Sequence, residues 1–187
     1  MKKNRSTRFV SRGGDKLDAA LDAFDIDPAG WTCADLGCNV GGFTDCLLSR
    51  GAARVYAVDT GYGELAWTLR RDERVIVMER TNALHVQLPE PARLIVIDVG
   101  WTRQHLILPA ARSLLTERGI IVTLIKPHYE AEQSDLRGGV LPDDKINDIL
   151  NATTRRLNEI GIHLSAMMPS PIRGQKGNRE FLALLQS

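Results

Sequence analysis

The chain has 187 residues, 43% of them hydrophobic and 25% charged, with a formal net charge of +1, a balance that fits one globular domain able to bury its own core. Cys33, Cys38 and Cys46 form no CxxC pair and leave an odd thiol, and no histidine cluster stands beside them at metal-ligand spacing, which excludes a disulfide scaffold and leaves no metal site to expect. Apolar runs such as IIVTLI fall far short of the ~18 residues of a membrane helix, and the start MKKNRSTRFV leads into no apolar signal core, so a reduced, cytoplasmic protein is expected.

In chain order, Lys2, Lys3, Arg5, Arg8 and Arg12 all precede the first acidic residue, Asp15. Residues 1–12 therefore read as a basic arm, either a solvated tail or a nucleic-acid contact, ahead of a single domain over 13–187. In SRGGDKLDAA the spacing of Leu17, Ala20, Leu21 and Phe24 predicts a helix with Ser11 or Asp15 as its cap. Lys16 then falls in the first turn, where the helix dipole disfavours a cation by roughly a few tenths of a kcal/mol unless something nearby wants it.

Farther on, TCADLG, RVYAVD, RVIVME, RLIVID and GIIVTLIK are short β-rich runs, separated by helical stretches such as GGFTDCLLSR and RQHLILPAARSLL. This alternation predicts an α/β sandwich of parallel strands and crossover helices. DDKINDILNATTRRLNEI reads as a helix, after which IHLSAMM, the loop PSPIRGQKGN and REFLALLQ suggest a terminal hairpin with one antiparallel strand.

Four internal strands finish on an ionisable residue: Asp35, Asp59, Asp98 and Lys126. A single aspartate there would serve as a helix cap, but four at equivalent ends mark the ligand crevice of an open α/β sheet. Lys126 precedes Pro127, which ends the strand and leaves the ammonium at the rim of an apolar sheet, where it wants a carboxylate or an anionic ligand. An antiparallel final strand places Glu180 at the same rim. After the first strand, DLGCNVGGFTD puts Gly37, Gly41 and Gly42 in a strand-to-helix turn. The spacing G-x-x-x-G-G is neither the G-x-G-x-x-G of dinucleotide enzymes nor a P-loop. Asp59 suits ribose hydroxyls in either cofactor class, and with Asp35 and no pyrophosphate motif the loop favours S-adenosylmethionine.

The stretches VSRGGDKLDAALDAF, DLGCNVGGFTDCLL, RGAARVYAVDTGYGELAW, ERTNAL, LIVIDVGW, LIKPHYE, RGGV and SPIRGQKGNREFL, in this order from about Phe9 to the C-terminus, resemble the FtsJ/TlyA type of RNA ribose 2′-O-methyltransferase, nearer the TlyA (haemolysin-A-like) branch. The resemblance implies a Rossmann-like, class I S-adenosylmethionine-dependent methyltransferase: seven strands, the last antiparallel, with helices on both faces. It implies a catalytic tetrad of Lys16, Asp98, Lys126 and Glu180. Gly37, Gly41, Gly42 and Phe43 would line the methionine part of the cofactor, Asp59 the ribose and Asn82 the adenine, with Asp35 and Asp98 also expected among the cofactor-binding residues. The chain departs from these relatives at Cys38-Asn39-Val40, at Gly100-Trp101 beside Asp98, and in showing a basic arm where they carry an N-terminal RNA-binding module. A partner protein that recruits the RNA is one expectation from that last departure.

On this reading Lys126 either deprotonates a ribose hydroxyl, with Lys16 lowering its pKa from about 10.4, or stays charged beside Asp98 and Glu180 and orients the hydroxyl. RNA, ribosomal RNA first and transfer RNA second, would be held through phosphates by Arg5, Arg8, Arg12, Arg137, Arg173, Lys176 and Arg179. With aromatic content at 5%, stacking platforms look sparse and a structured RNA read by shape is favoured. The competing readings are a small-molecule O-methyltransferase, which the scattered His85, His105, His128 and His163 do not favour, and a non-catalytic cofactor- and RNA-binding partner.

Overall fold

The computed structural model describes residues 8–186, so Lys2, Lys3 and Arg5 lie outside the described residues. The elements in chain order are α1 (Gly13–Ala23), β1 (Thr32–Leu36), α2 (Gly42–Ser49), β2 (Arg54–Val58), α3 (Trp67–Arg70), β3 (Val75–Met78), β4 (Ala92–Ile97), α4 (Gln104–Arg112), β5 (Leu115–Ile125), α5 (Pro127–Glu130), α6 (Ile146–Glu159), β6 (Ala166–Pro169) and β7 (Phe181–Gln186). The strands form one seven-stranded sheet in the order β3-β2-β1-β4-β5-β7-β6. Pairing is parallel from β3 to β5, and β7 runs antiparallel to both β5 and β6. The expected seven strands with an antiparallel last one are therefore present. Pro169 ends β6 on the outer edge of the sheet, where its missing N–H costs no ladder bond.

Alternation along the strands sorts the core into two layers. Cys33, Val55, Leu94, Val96, Val122 and Leu182 face α1 and α2, meeting Leu17, Leu21, Phe43 and Leu47. Ala34, Leu36, Tyr56, Ile95, Ile97 and Ile121 face the other way, onto Ile107 and Leu108 of α4 and Leu157 of α6. Leu17 and Leu21 are wholly buried, and each contributes about 1.5–3 kcal/mol on burial, far more than any helix-end charge could remove from α1.

Two boundaries differ from the sequence reading. The helix predicted through RQHLILPAARSLL stops at Arg112 because Leu115 already pairs with Ala92, and β5 is longer than expected, with a register shift before Leu94 meets Ile120. Of the basic segment the structure describes residues 8–12, and there Phe9 is buried in the core, lying where a Cβ on Gly14 would have to go.

Candidate active site

The carboxyl ends of β1, β2, β4 and β5 open on one rim. Along it lie a cavity of about 520 Å³ and a smaller one of about 280 Å³, two lobes of a crevice that share Gly37, Asn39, Asp98, Gly100 and Trp101.

The wall between them is a backbone turn. Gly37 has φ +88°, and a Cβ there would sit 2.7 Å from the Asp98 carbonyl oxygen, so only glycine lets the β1 turn press against the end of β4. The Gly37 and Cys38 N–H groups donate to the Val58 carbonyl at 2.8 and 3.1 Å. Asn39, also at positive φ, donates its N–H to Asp59 Oδ2 at 2.8 Å and accepts from Val40 N–H at 2.8 Å. These bonds give the unusual Cys-Asn-Val loop its shape. The Cys38 thiol is buried in it, and burial raises its pKa, leaving it unreactive.

Asp35 is fully buried. Thr44, in the first turn of α2, donates both its N–H (2.9 Å) and its hydroxyl (2.7 Å) to Oδ2, while Oδ1 has no partner and the residue lines the larger lobe. Burial pushes this carboxyl up to about 7, with the Asp98 and Asp59 charges adding to the rise and the Thr44 bonds opposing it. An orphaned, buried carboxylate oxygen at a cavity wall suits a cationic ligand group.

The charged side chains meet as two pairs. Lys16 Nζ donates to Glu180 Oε2 at 2.6 Å, across 164 residues of sequence, with Glu180 only 5% exposed. Lys126 Nζ lies 2.6 Å from Asp98 Oδ1 and donates to the Val99 carbonyl at 3.1 Å; Asp98 Oδ1 accepts no aligned hydrogen bond, so that contact is ionic rather than directed. Lys16 thus pairs with Glu180, and Lys126 with Asp98. The helix of Lys16 is not capped as predicted: Arg12 is the N-cap residue, and Ser11, one position earlier, accepts from Gly13 N–H at 3.3 Å. Gly174 rides on Glu180, with no room for a Cβ, which would lie 2.0 Å from Oε1.

Lys16, Asp35, Gly37, Gly42, Phe43, Asp98, Lys126 and Glu180 all line the larger lobe. Asp59 and Asn82 line the smaller one, among Val58, Leu84, Val99 and Ile107. Gly41 lines neither: it caps α2 at φ +101°, facing Leu65 and Leu69, where its missing Cβ serves packing. Asp59 Oδ1 accepts from Gly61 N–H at 2.7 Å, and Asn82 Oδ1 from Leu84 N–H at 3.0 Å, so both side chains are held in place with acceptor capacity left. A crevice with one lobe walled by Asp59, Asn82 and aliphatic side chains and another ending in Asp35 fits the adenosine and methionine halves of S-adenosylmethionine.

Sequence reasoning missed His128. It lines the larger lobe two residues after Lys126, packs against Tyr129 at 4.2 Å, and is pushed down to about 4 by burial and the Lys126 charge, so it is neutral at physiological pH. The signal was its place in KPHYE, where Pro127 starts α5. Trp101 stacks on Tyr129 at 4.7 Å, is 84% exposed, and forms the outer lip of both lobes. Arg8, also expected on RNA, pairs with Asp18 at 2.7 Å and stays largely exposed.

The FtsJ-like methyltransferase family matches this chain over residues 9–187. The 16S/23S rRNA (cytidine-2′-O)-methyltransferase TlyA of Mycobacterium tuberculosis (strain ATCC 25618 / H37Rv) is 42% identical over 186 residues, covering 96% of this chain and 69% of that protein. A solved structure described as a hemolysin of Streptococcus thermophilus superposes with a TM-score of 0.93 at 37% identity, over 99% of this chain and 69% of that one. A Mesorhizobium loti S-adenosylmethionine-dependent methyltransferase shares the fold, with a TM-score of 0.64 at 16% identity over 90% of this chain and 96% of that one. No helix among the described residues is long and apolar enough to cross a membrane.

Proposed function

We propose that this chain, which belongs to the FtsJ-like methyltransferase family, methylates a ribose 2′-hydroxyl of RNA, with ribosomal RNA as the first substrate and the cytoplasm as its place of work. The observation that carries the reading is the meeting of two lysine–carboxylate pairs on the wall of a cavity continuous with the cofactor lobe. The cytidine specificity of the M. tuberculosis relative supports a pyrimidine nucleotide as the first to test.

S-adenosylmethionine, when bound, supplies a methyl group on a sulfonium. Asp35 Oδ1 would hold its ammonium, Asp59 its ribose hydroxyls and Asn82 its adenine edge. Lys126 directs one proton at the Val99 carbonyl and its charge at Asp98, which leaves a donor for the substrate hydroxyl oxygen. An ammonium has no lone pair, so this arrangement favours the orienting role over the general base: Lys126 fixes the hydroxyl and offsets negative charge developing on its oxygen. Asp98 Oδ1, in ionic contact with Lys126, holds that ammonium in place, and the hydroxyl proton leaves to water as the methyl group transfers. Trp101 offers a flat face to the base attached to that ribose.

Phosphates would meet the cations that lack acidic partners. Arg12 at the cavity, Lys176 and Arg179 on the following loop, and Arg137 have no ion pair among the described residues. Arg173 is held only loosely, 3.8 Å from Asp143. Asn178 ties these loops together by donating to the Gly139 carbonyl at 3.0 Å and accepting from Leu141 N–H at 3.0 Å. The test is transfer of label from methyl-labelled cofactor into ribosomal RNA, transfer RNA and small molecules in parallel. Label at a ribose 2′-oxygen of RNA is the expected result. Cofactor binding with no RNA labelled returns the chain to a non-catalytic binder, and label in small molecules alone to the competing enzyme reading.

A further inference from the structure

Asp98 and Lys126 stand on two loops that a buried polar network joins behind the crevice. Asp98 follows β4, and its N–H donates to the Leu36 carbonyl at 3.0 Å, which fixes the near end of the loop over residues 99–103. That loop has little to hold its shape from within: Thr102 N–H donates to the Gly100 carbonyl at 2.8 Å, and Trp101 sits at φ +61°. Yet it carries the Val99 carbonyl that accepts from Lys126. Its far end is the start of α4, at Gln104.

Arg103, the N-cap residue of α4, gives the helix no side-chain cap. The bond comes from another element. Glu130, the last residue of α5, accepts from the Gln104 N–H at 2.7 Å through Oε1, satisfying a donor that the helix start leaves open. Gln104 is 3% exposed and Thr123 wholly buried; the Thr123 hydroxyl donates to Gln104 Oε1 at 2.8 Å, and Gln104 Nε2 donates to the Leu124 carbonyl at 3.4 Å. Burial pushes the Glu130 carboxyl up, with the Gln104 N–H and the Arg103 and Arg156 charges opposing the rise. A polar network satisfied out of solvent specifies one arrangement, because any other leaves a buried group unpaired. The second tie between these segments, Arg103 to Glu132 at 3.0 Å, lies at the surface and contributes little.

Glu130 lines neither lobe, so it acts on the chemistry through other residues. Its own helix is a single turn, closed by the Tyr129 N–H on the Lys126 carbonyl at 2.8 Å, with Lys126 at one end and Glu130 at the other. We propose that Glu130 is a positioning residue for methyl transfer: its bond to the Gln104 N–H sets the far end of the 99–103 loop and thereby seats Asp98 and the Val99 carbonyl against Lys126. The role rests on the RNA-methylating function proposed above. Lys126 faces the substrate hydroxyl only while those two acceptors take up its other contacts, so a shift of the loop against α5 misdirects the ammonium. Misplacement of that kind lowers turnover more than binding.

The experiment measures kcat and KM for methylation of unmodified ribosomal RNA by wild type, Glu130→Ala, Glu130→Asp and Glu130→Gln, at a temperature where circular dichroism shows each folded. Cofactor affinity is read separately by calorimetry. Alanine lacks the acceptor and aspartate falls a methylene short of it, so both are expected to lower kcat about tenfold, with KM and cofactor affinity within about threefold of wild type. Glutamine keeps an acceptor oxygen at the same reach and should hold kcat within about twofold of wild type. Wild-type kcat in the alanine or aspartate variant, a cofactor loss as large as the kcat loss, or a glutamine variant as slow as alanine overturns the positioning role alone. Should the alanine variant fail to fold, aspartate against glutamine decides by the same criteria. A wild type that labels no RNA overturns the underlying function and the positioning role with it.

Discussion

The lobe around Asp59 and Asn82 is made of backbone turns and a mixed wall of polar and aliphatic side chains, whereas the lobe around Lys126 gathers charged side chains from four distant segments, at residues 16, 98, 126 and 180. In the first, hydrogen bonds are satisfied locally and the shape precedes any ligand. In the second, opposite charges hold one another under partial burial, so every member depends on the others. The smaller lobe is suited to binding alone and the larger to chemistry beside the methionine half of the cofactor, with Asp98 belonging to both.

The sharpest way to break this division is Lys126→Ala. Methyl transfer is expected to fall by about 10²–10³-fold or more while calorimetric cofactor affinity changes little. Retained turnover would deny the charged lobe its role. Next in size is Lys16→Ala, which leaves Glu180 buried without its partner and is expected to cost about 3 kcal/mol of stability, read from a denaturant midpoint. Lys16→Met with Glu180→Leu should recover much of that stability without recovering activity; recovery of both would make the pair purely structural.

Asp35, in the larger lobe, gives a smaller, pH-dependent effect on cofactor binding. Its carboxyl is raised from 3.8 to about 7, so the folded chain keeps a proton that the unfolded chain has released, and the residue's contribution to stability falls as pH rises across that window. A cofactor ammonium favours the carboxylate. Cofactor affinity is therefore expected to rise with pH up to about 7 and then level off, and Asp35→Asn to flatten the profile. An unaltered profile in the variant would remove Asp35 from the ammonium site. The smallest change is electrostatic: Arg12→Gln or Arg179→Gln should each lower the slope of log affinity for RNA against log salt by about 0.7–0.9, and an unchanged slope would take that cation off the RNA path.

The difference between the lobes also explains what could be read from the sequence. Gly37, Asp35 and Asp59 are legible because a strand, a glycine turn and a strand end are local patterns, and the sheet follows from their alternation. The pairing of Lys16 with Glu180 is not local, since it needs both the antiparallel return of β7 and the seat of α1. Family resemblance named those residues, but only coordinates sort the four charges into two pairs. His128 went unseen for a similar reason: four scattered histidines carry no pattern, and the turn begun by Pro127 decides which of them reaches the cavity. Aromatic content likewise says nothing of placement: three of the chain's six Tyr and Trp residues, Tyr62, Trp67 and Trp101, stand on the surface.

The seating of α1 on α2 has one more consequence. A Cβ on Gly42 would lie 2.9 Å from the Gly14 nitrogen and 3.2 Å from the Gly13 Cα, so the two helices touch backbone to backbone at their first turns. Lys16 and the glycine loop are thus parts of one packed unit, and whatever enters the crevice meets an inner wall already set by that backbone contact.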